Sequence, residues 1–187
     1  MNVTMVVLAA LASADVELQT WVNEGAGVAD EQVGKFADEI PNQVSEFSVM
    51  SRVRALTSRG LSLYPRCGSL QAQLGACAFA SGCLAEAATT FSEAVQGEWG
   101  ADSEGLTRAL ASLSTVYLGL NQNDKALSSA SEAIRRGPEW ASAHYLAGQA
   151  LERMWKMEEA REEFRQVLKL SPGHAGATAA LGRLEGK

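Results

Sequence analysis

The chain is short of the residues that catalysis and metal binding require. It holds 2 histidines and 3 cysteines in 187 residues. Cys67, Cys77 and Cys83 form no Cys-x-x-Cys pair, and an odd number gives no complete disulfide framework. His144 and His174 stand far from them in sequence, so no ligand set of zinc spacing is present, and neither a metal nor a cofactor is expected. Cys77 and Cys83 are expected to act as small buried hydrophobes. Gly-x-Ser-x-Gly, His-Glu-x-x-His and a glycine-rich phosphate loop are all missing, which removes familiar hydrolase, metalloprotease and nucleotide-binding signatures. The carboxylate pairs Glu158-Glu159 and Glu162-Glu163 remain. A catalytic carboxylate needs burial or a like charge in a cleft, and most of these read as the outward face of a helix. No catalytic residue is assigned, and an enzyme is not expected.

Positive charge is equally thin. There are 16 Lys and Arg against 22 Asp and Glu, a net charge of −6. Residues 1–46 carry eight acids and the single base Lys35, summing to −7, so the remainder is +1. Nucleic-acid binding wants a basic stripe. Arg135-Arg136 and Arg161, Arg165 and Lys169 are short groups on helices that also carry Glu, and they read as solvated faces. Long apolar runs are missing too. The uncharged stretch Met1–Ala14 is too short to span a bilayer as a helix. Its Ala12-Ser13-Ala14 has the small residues of a leader cleavage site, but no basic segment precedes it. Val3, Val7, Leu11, Ala14, Leu18 and Trp21 recur at helical spacing straight through that point. Residues 1–28 are therefore read as an N-terminal packing helix and the protein as cytoplasmic, with a signal peptide as the competing reading. Proline is rare, at 4 residues, and nearly half the chain is apolar, which argues for order.

What the chain does have is a period. Pro138 and Pro172 stand 34 residues apart. Gly148, Ala160, Phe164 and Pro172 fall, one period back, on Ser114, Ala126, Ala130 and Pro138. Leu74-Gly75, Ala87, Phe91 and Ala94 carry the same internal spacing. A period of about 34 residues marks stacked helical hairpins, which bury their apolar faces on one another. Gly75, Gly148, Ala87, Ala126 and Ala160 let the two helices of a hairpin approach closely. Phe91, Phe164, Leu74, Leu113 and Tyr117 fill the space between hairpins. Pro138 and Pro172 cannot continue a helix interior.

On these residues the chain resembles the tetratricopeptide repeat family. Three clear copies cover Gly68–Ala101, Thr107–Trp140 and Ala141–His174. The first lacks the family tyrosine, with Ala78 in its place, and has Trp99 where the closing proline falls. The second replaces the glycine by Ser114 and the aromatic by Ala130. A degenerate fourth hairpin is read over 30–67, containing a short helix over 29–40 and a longer one over 44–59, with Pro65 as its closing proline. Ala175–Lys187 is read as a capping helix. The fold expected is an all-α, right-handed α-solenoid over 29–187. Gly97–Glu104 is an insertion in which Ser103 is the expected helix cap. Trp99 within it either tucks against a hairpin end, the preferred reading, or meets a partner.

The resemblance implies that the first helix of each hairpin lines a concave groove. Carried over residue by residue, that groove comprises Ala72, Ala76, Arg108, Ala111, Thr115, Tyr145, Gln149, Arg153 and, on the cap, Arg183. Its arginines would face carboxylates. The competing reading leaves these positions solvated or covered by the N-terminal helix. Chaperone adaptors of the family grip a C-terminal carboxylate with Lys, Asn and Arg on successive first helices. The matching positions here are Ala72, Ala76, Ser112, Ser142 and Leu146, none of which can form that clamp. Trp155, flanked by Met154 and Met157, stands where a small turn residue is usual. It is read either as a plug at the hairpin turn or as an interface protrusion. The function implied is a non-enzymatic scaffold or adaptor within a hetero-oligomeric complex, its partner a protein or peptide rather than nucleic acid. A free, co-chaperone-like peptide binder without the carboxylate clamp is the alternative.

Overall fold

The computed structural model describes residues 46–186. The helices expected before residue 41 lie outside these residues. Eight helices follow in order within them: α1 (Glu46–Leu63), α2 (Gly68–Ala80), α3 (Leu84–Gln96), α4 (Ser103–Gly119), α5 (Asn123–Arg136), α6 (Ala141–Arg153), α7 (Met157–Leu170) and α8 (Ala175–Leu184). No strand is present among the described residues; an isolated parallel bridge joins Cys67 and Glu98. The chain divides into two compact units at Pro65 and Arg66. In the first unit, α1 runs through Gly60 to Leu63 rather than stopping at the expected Arg59. One glycine costs a helix interior only about 1 kcal/mol relative to Ala.

In the second unit, α2 pairs with α3, α4 with α5, and α6 with α7. Successive hairpins meet through α3 on α4 and α5 on α6, and α8 closes on α7. The first helices also touch one another, α2 on α4 and α4 on α6. A series in which like helices meet in order is a solenoid, with its core strung along the stacking direction rather than gathered at a centre.

Small residues set how close each hairpin packs. Ala87, Ala126 and Ala160 are fully buried. In the first hairpin a Cβ added to Gly75 would stand 3.0 Å from the ring of Phe91. The third hairpin repeats this with Gly148 and Phe164. The second solves the same problem otherwise: Ser114 and Ala130 are both buried, and Ser114 Oγ donates to the carbonyl oxygen of Ala126 at 2.9 Å.

The turns of the three hairpins are built alike. Gly82, Asn121 and Trp155 each adopt a positive φ, of 76°, 57° and 61°. In each turn the next residue returns a backbone hydrogen bond five residues back: Cys83 to Ala78, Gln122 to Tyr117 and Lys156 to Leu151. The positive-φ residue itself bonds three back, to Phe79, Leu118 and Glu152. This is the Schellman ending, whose left-handed position normally takes Gly and sometimes Asn. The third turn takes a tryptophan.

Between α3 and α4 the insertion is held by Trp99. Its Nε1 donates to the Ala94 carbonyl at 2.7 Å, and its indole lies where a side chain on Gly68 would be. Trp99 is thus tucked against the hairpin end. The cap of α4 is Asp102, whose Oδ1 accepts from Gly105 N at 2.7 Å, and not the expected Ser103, which is the first helical residue. A carboxylate there also suits the positive end of the helix dipole.

Candidate partner-binding face

The expected groove positions divide into open and occupied ones. On α2, Ala72 is half-buried and Ala76 exposed. On α4, Ala111 and Thr115 are half-buried, and Thr115 Oγ1 turns back to donate to the Ala111 carbonyl at 3.0 Å. Ala72 packs against the cluster of Leu113 and Val116, and Ala76, Ala111 and Thr115 add little bulk on α2 and α4. On α6 the character changes. Tyr145 packs at 5.8 Å from the Phe164 ring and 4.6 Å from the His174 ring, measured between centroids. Its hydroxyl fills the space a Cβ on Gly176 would need. Tyr145 therefore joins α6, α7 and α8, while Gln149 stands half-buried one turn on.

All three groove arginines have partners within the chain. Arg108 Nη2 is 2.8 Å from Glu104 Oε1, one helical turn away and exposed. Arg183 Nη2 reaches both oxygens of Glu152 at 3.1 and 3.2 Å, bridging α8 to α6. Arg153 Nη1 donates to the Leu118 carbonyl at the end of α4, a cation placed at the negative end of a helix. An exposed pair such as Arg108–Glu104 is worth at most about 1 kcal/mol. Arg153 is committed to joining the second and third hairpins.

Sequence reading missed several ties. His144 Nδ1 lies 2.7 Å from Glu163 Oε2, and its Nε2 lies 3.0 Å from the Pro138 carbonyl. This joins the start of α6 to α7 and to the preceding loop. His174 Nδ1 accepts from Ala177 N at 3.1 Å and caps α8. That role was visible in principle, since His174 directly precedes the helix. Nothing in the spacing marks His144 for Glu163. On α5, Glu132 is held below the ordinary carboxylate range mainly by its hydrogen bond with Arg135, helped by Arg136 and opposed by partial burial.

The cysteines behave differently from one another. Cys77 is buried as expected, whereas Cys83 is exposed, because it sits beyond the positive-φ glycine, outside the packed hairpin. Among the described residues no three His, Cys, Asp or Glu side chains are grouped to hold a metal. No described helix is long and apolar enough to cross a membrane.

Trp155 is not a plug. It is 83% exposed, on a backbone conformation that costs a non-glycine residue roughly 1–2 kcal/mol. Met154 and Met157 beside it are half-buried.

Residues 112–175 match the tetratricopeptide repeat family. The second unit has the tetratricopeptide fold, and residues 112–175 carry the family's repeat. That match spans most of the second and third hairpins and ends at the start of α8. No curated protein matches the sequence significantly. Three solved structures share the tetratricopeptide fold at low identity. The first TPR of Spaghetti (RPAP3), bound to the HSP90 peptide SRMEEVD, is 20% identical over 64% of this chain and 91% of its own, with a TM-score of 0.60. YrrB, described as a TPR protein with an unusual peptide-binding site, is 22% identical over 78% and 72%, with a TM-score of 0.65. MamA is 17% identical over 74% and 73%, with a TM-score of 0.66.

Proposed function

We propose that this protein is a non-enzymatic scaffold or adaptor, a subunit of a larger assembly, that holds a segment of another protein along its first helices. The observation that supports the reading is the contact of α2 with α4 and of α4 with α6, the first helices, of which α2 carries Ala72 and Ala76 and α4 carries Ala111 and Thr115. Small side chains there suit an occupant that brings its own apolar bulk. Arg108, the least committed of the three arginines, adds a preference for acid beside it.

The test is to fill the groove. Purified protein with Ala76→Trp and Ala111→Trp should keep its helical circular dichroism and lose the co-purifying partners that wild-type protein retains from native tissue. Retention of the same partners by the filled variant would rule the groove out as the binding face.

Capture of a chaperone tail by a carboxylate clamp is disfavoured by the residues at the clamp positions, Ala72, Ala76, Ser112, Ser142 and Leu146; the free peptide binder without that clamp stays as the alternative. None of these residues carries the cation that a C-terminal carboxylate requires. Titration calorimetry with the peptide SRMEEVD is expected to give no heat of binding. Saturable micromolar binding would show that the tail is gripped without the clamp residues and would favour the co-chaperone-like alternative.

A further inference from the structure

We propose that His144 and His174 make the end of the second unit respond to acid in two opposite ways: a falling pH loosens the start of α8 and tightens the start of α6. The inference goes beyond the groove reading and does not depend on it.

Hydrogen-bond roles carry the argument. A neutral imidazole has one donor nitrogen and one acceptor nitrogen, whereas an imidazolium has two donors. His174 Nδ1 accepts from Ala177 N at 3.1 Å, as the cap of α8. Only the neutral ring can do this. A proton added at Nδ1 would meet the Ala177 N–H and would place a cation at the positive end of the helix. His144 stands in the reverse situation. Its Nδ1 lies 2.7 Å from Glu163 Oε2 and its Nε2 lies 3.0 Å from the Pro138 carbonyl oxygen. A carboxylate and a carbonyl are both acceptors. The neutral ring can donate to one of them, and only the imidazolium donates to both. The His144 side chain is 12% exposed, which leaves little water to replace a lost partner.

The groups around the two rings titrate elsewhere in the pH scale. Tyr145 of α6 faces His174, with ring centroids 4.6 Å apart. The first turn of α8 holds no acid, and the last turn of α7 carries the exposed Lys169. Toward His144, α7 contributes Glu163. On the other elements that pack against α6, Arg135 and Arg136 of α5 both bond to Glu132, and Glu104 of α4 bonds to Arg108. The loop before α6 holds the exposed Glu139. Carboxylates ordinarily titrate near roughly 4.3, and phenols and lysines near about 10, on either side of the imidazole value of about 6.5.

The α8 cap is therefore present above the imidazole range and is lost as pH falls through it. The second bond of His144 is present below that range and is lost as pH rises through it. The far end of α8 stays tied by Arg161 to the Leu184 carbonyl and by Arg183 to Glu152, so the loosening begins at His174. That end covers Tyr145, whose hydroxyl lies against Gly176, and acid thus uncovers a ring at one of the groove positions.

Amide hydrogen exchange of the full chain, resolved by NMR at about pH 5.5 and 8 and corrected for intrinsic rates, tests this. In wild-type protein, protection at residues 177–180 should fall about fivefold from the higher pH to the lower, as the loss of an N-cap implies. Protection at residues 143–147 should rise by about fivefold, as one regained hydrogen bond implies. His174→Asn keeps a capping oxygen that does not titrate and should abolish the first change alone. His174→Asp serves the same purpose should that variant fold poorly. His144→Gln should abolish the second change alone. Equal protection at the two pH values in either helix overturns the proposal, as does a change that survives its own substitution.

Discussion

A Cβ built on Gly148 would stand 2.7 Å from Cε1 of Phe164. The third hairpin is therefore closed by a ring lying against a backbone, with no room for one more carbon. Gly148→Ala should destabilise the protein by about 1–3 kcal/mol, the usual cost of overpacking. Phe164→Ala opens the opposite defect and should cost about 3–5 kcal/mol. Urea unfolding followed by circular dichroism measures both. A neutral Gly148→Ala would mean that the ring moves aside freely and that the close approach sets nothing.

The second hairpin offers a sharper test of the same packing. Its Ser114 and Ala130 replace the glycine and phenylalanine found in the other two. Ala130→Phe alone should clash and cost about 1–3 kcal/mol. Ser114→Gly alone loses the hydrogen bond to Ala126, worth about 1 kcal/mol, and adds a flexible residue. Together they rebuild the Gly–Phe pair, so the double variant should be less destabilised than the sum by about 0.5 kcal/mol or more, a coupling typical of residues in contact. Simple additivity would show that these positions do not share one space.

Arg161 reaches both Glu158 and the Leu184 carbonyl at the end of α8. Arg161→Ala should release that carbonyl and raise hydrogen exchange in α8 selectively, with a loss of about 1.5–3 kcal/mol in the local opening energy. Arg183→Ala breaks a more exposed pair with Glu152 and should cost less than about 1 kcal/mol. Equal effects would contradict the different burial of the two guanidinium groups.

Glu132 supplies a pH dependence. Its carboxyl is held below the ordinary range in the fold, chiefly by Arg135. The stabilisation is therefore fully present above the unfolded carboxylate value, roughly 4.3, and is lost as pH falls through the lower folded value. Glu132→Gln should lower stability in the neutral region and converge on wild type at low pH, so that the acid limb of the stability curve is flattened. Thermal melts between about pH 3 and 7 measure this.

Much of the architecture was legible because its determinants are local and repeat. Gly148, Phe164, Ala160 and Pro172 announce a hairpin by spacing alone, and α8 follows from a helical stretch that must cover the last apolar face. The boundaries read less well. Ser103 and Asp102 are both good caps, and only the backbone geometry decides between them. Cys83 reads as a buried hydrophobe by composition, yet it lies just past a turn glycine, where the chain faces solvent. Arg153 could be placed on a first helix from spacing, but its commitment to Leu118 depends on how two hairpins stack, which no local pattern encodes. The left-handed backbone of Trp155 was half legible. The family pattern put the tryptophan at a hairpin turn, while its outward direction needed the fold.

The contact of first helix on first helix has a mechanical side. Ala72, on the first helix of the first hairpin, packs against the cluster holding Leu113 and Val116 of the next. Side chains near a hinge line act with leverage: a methyl added there wedges one pair apart by a small angle, and every later unit inherits the rotation. The tilt between hairpins within Arg66–Lys187 is therefore written in its smallest residues, and trading alanine for serine or valine there would change the angle at which the next pair sets off.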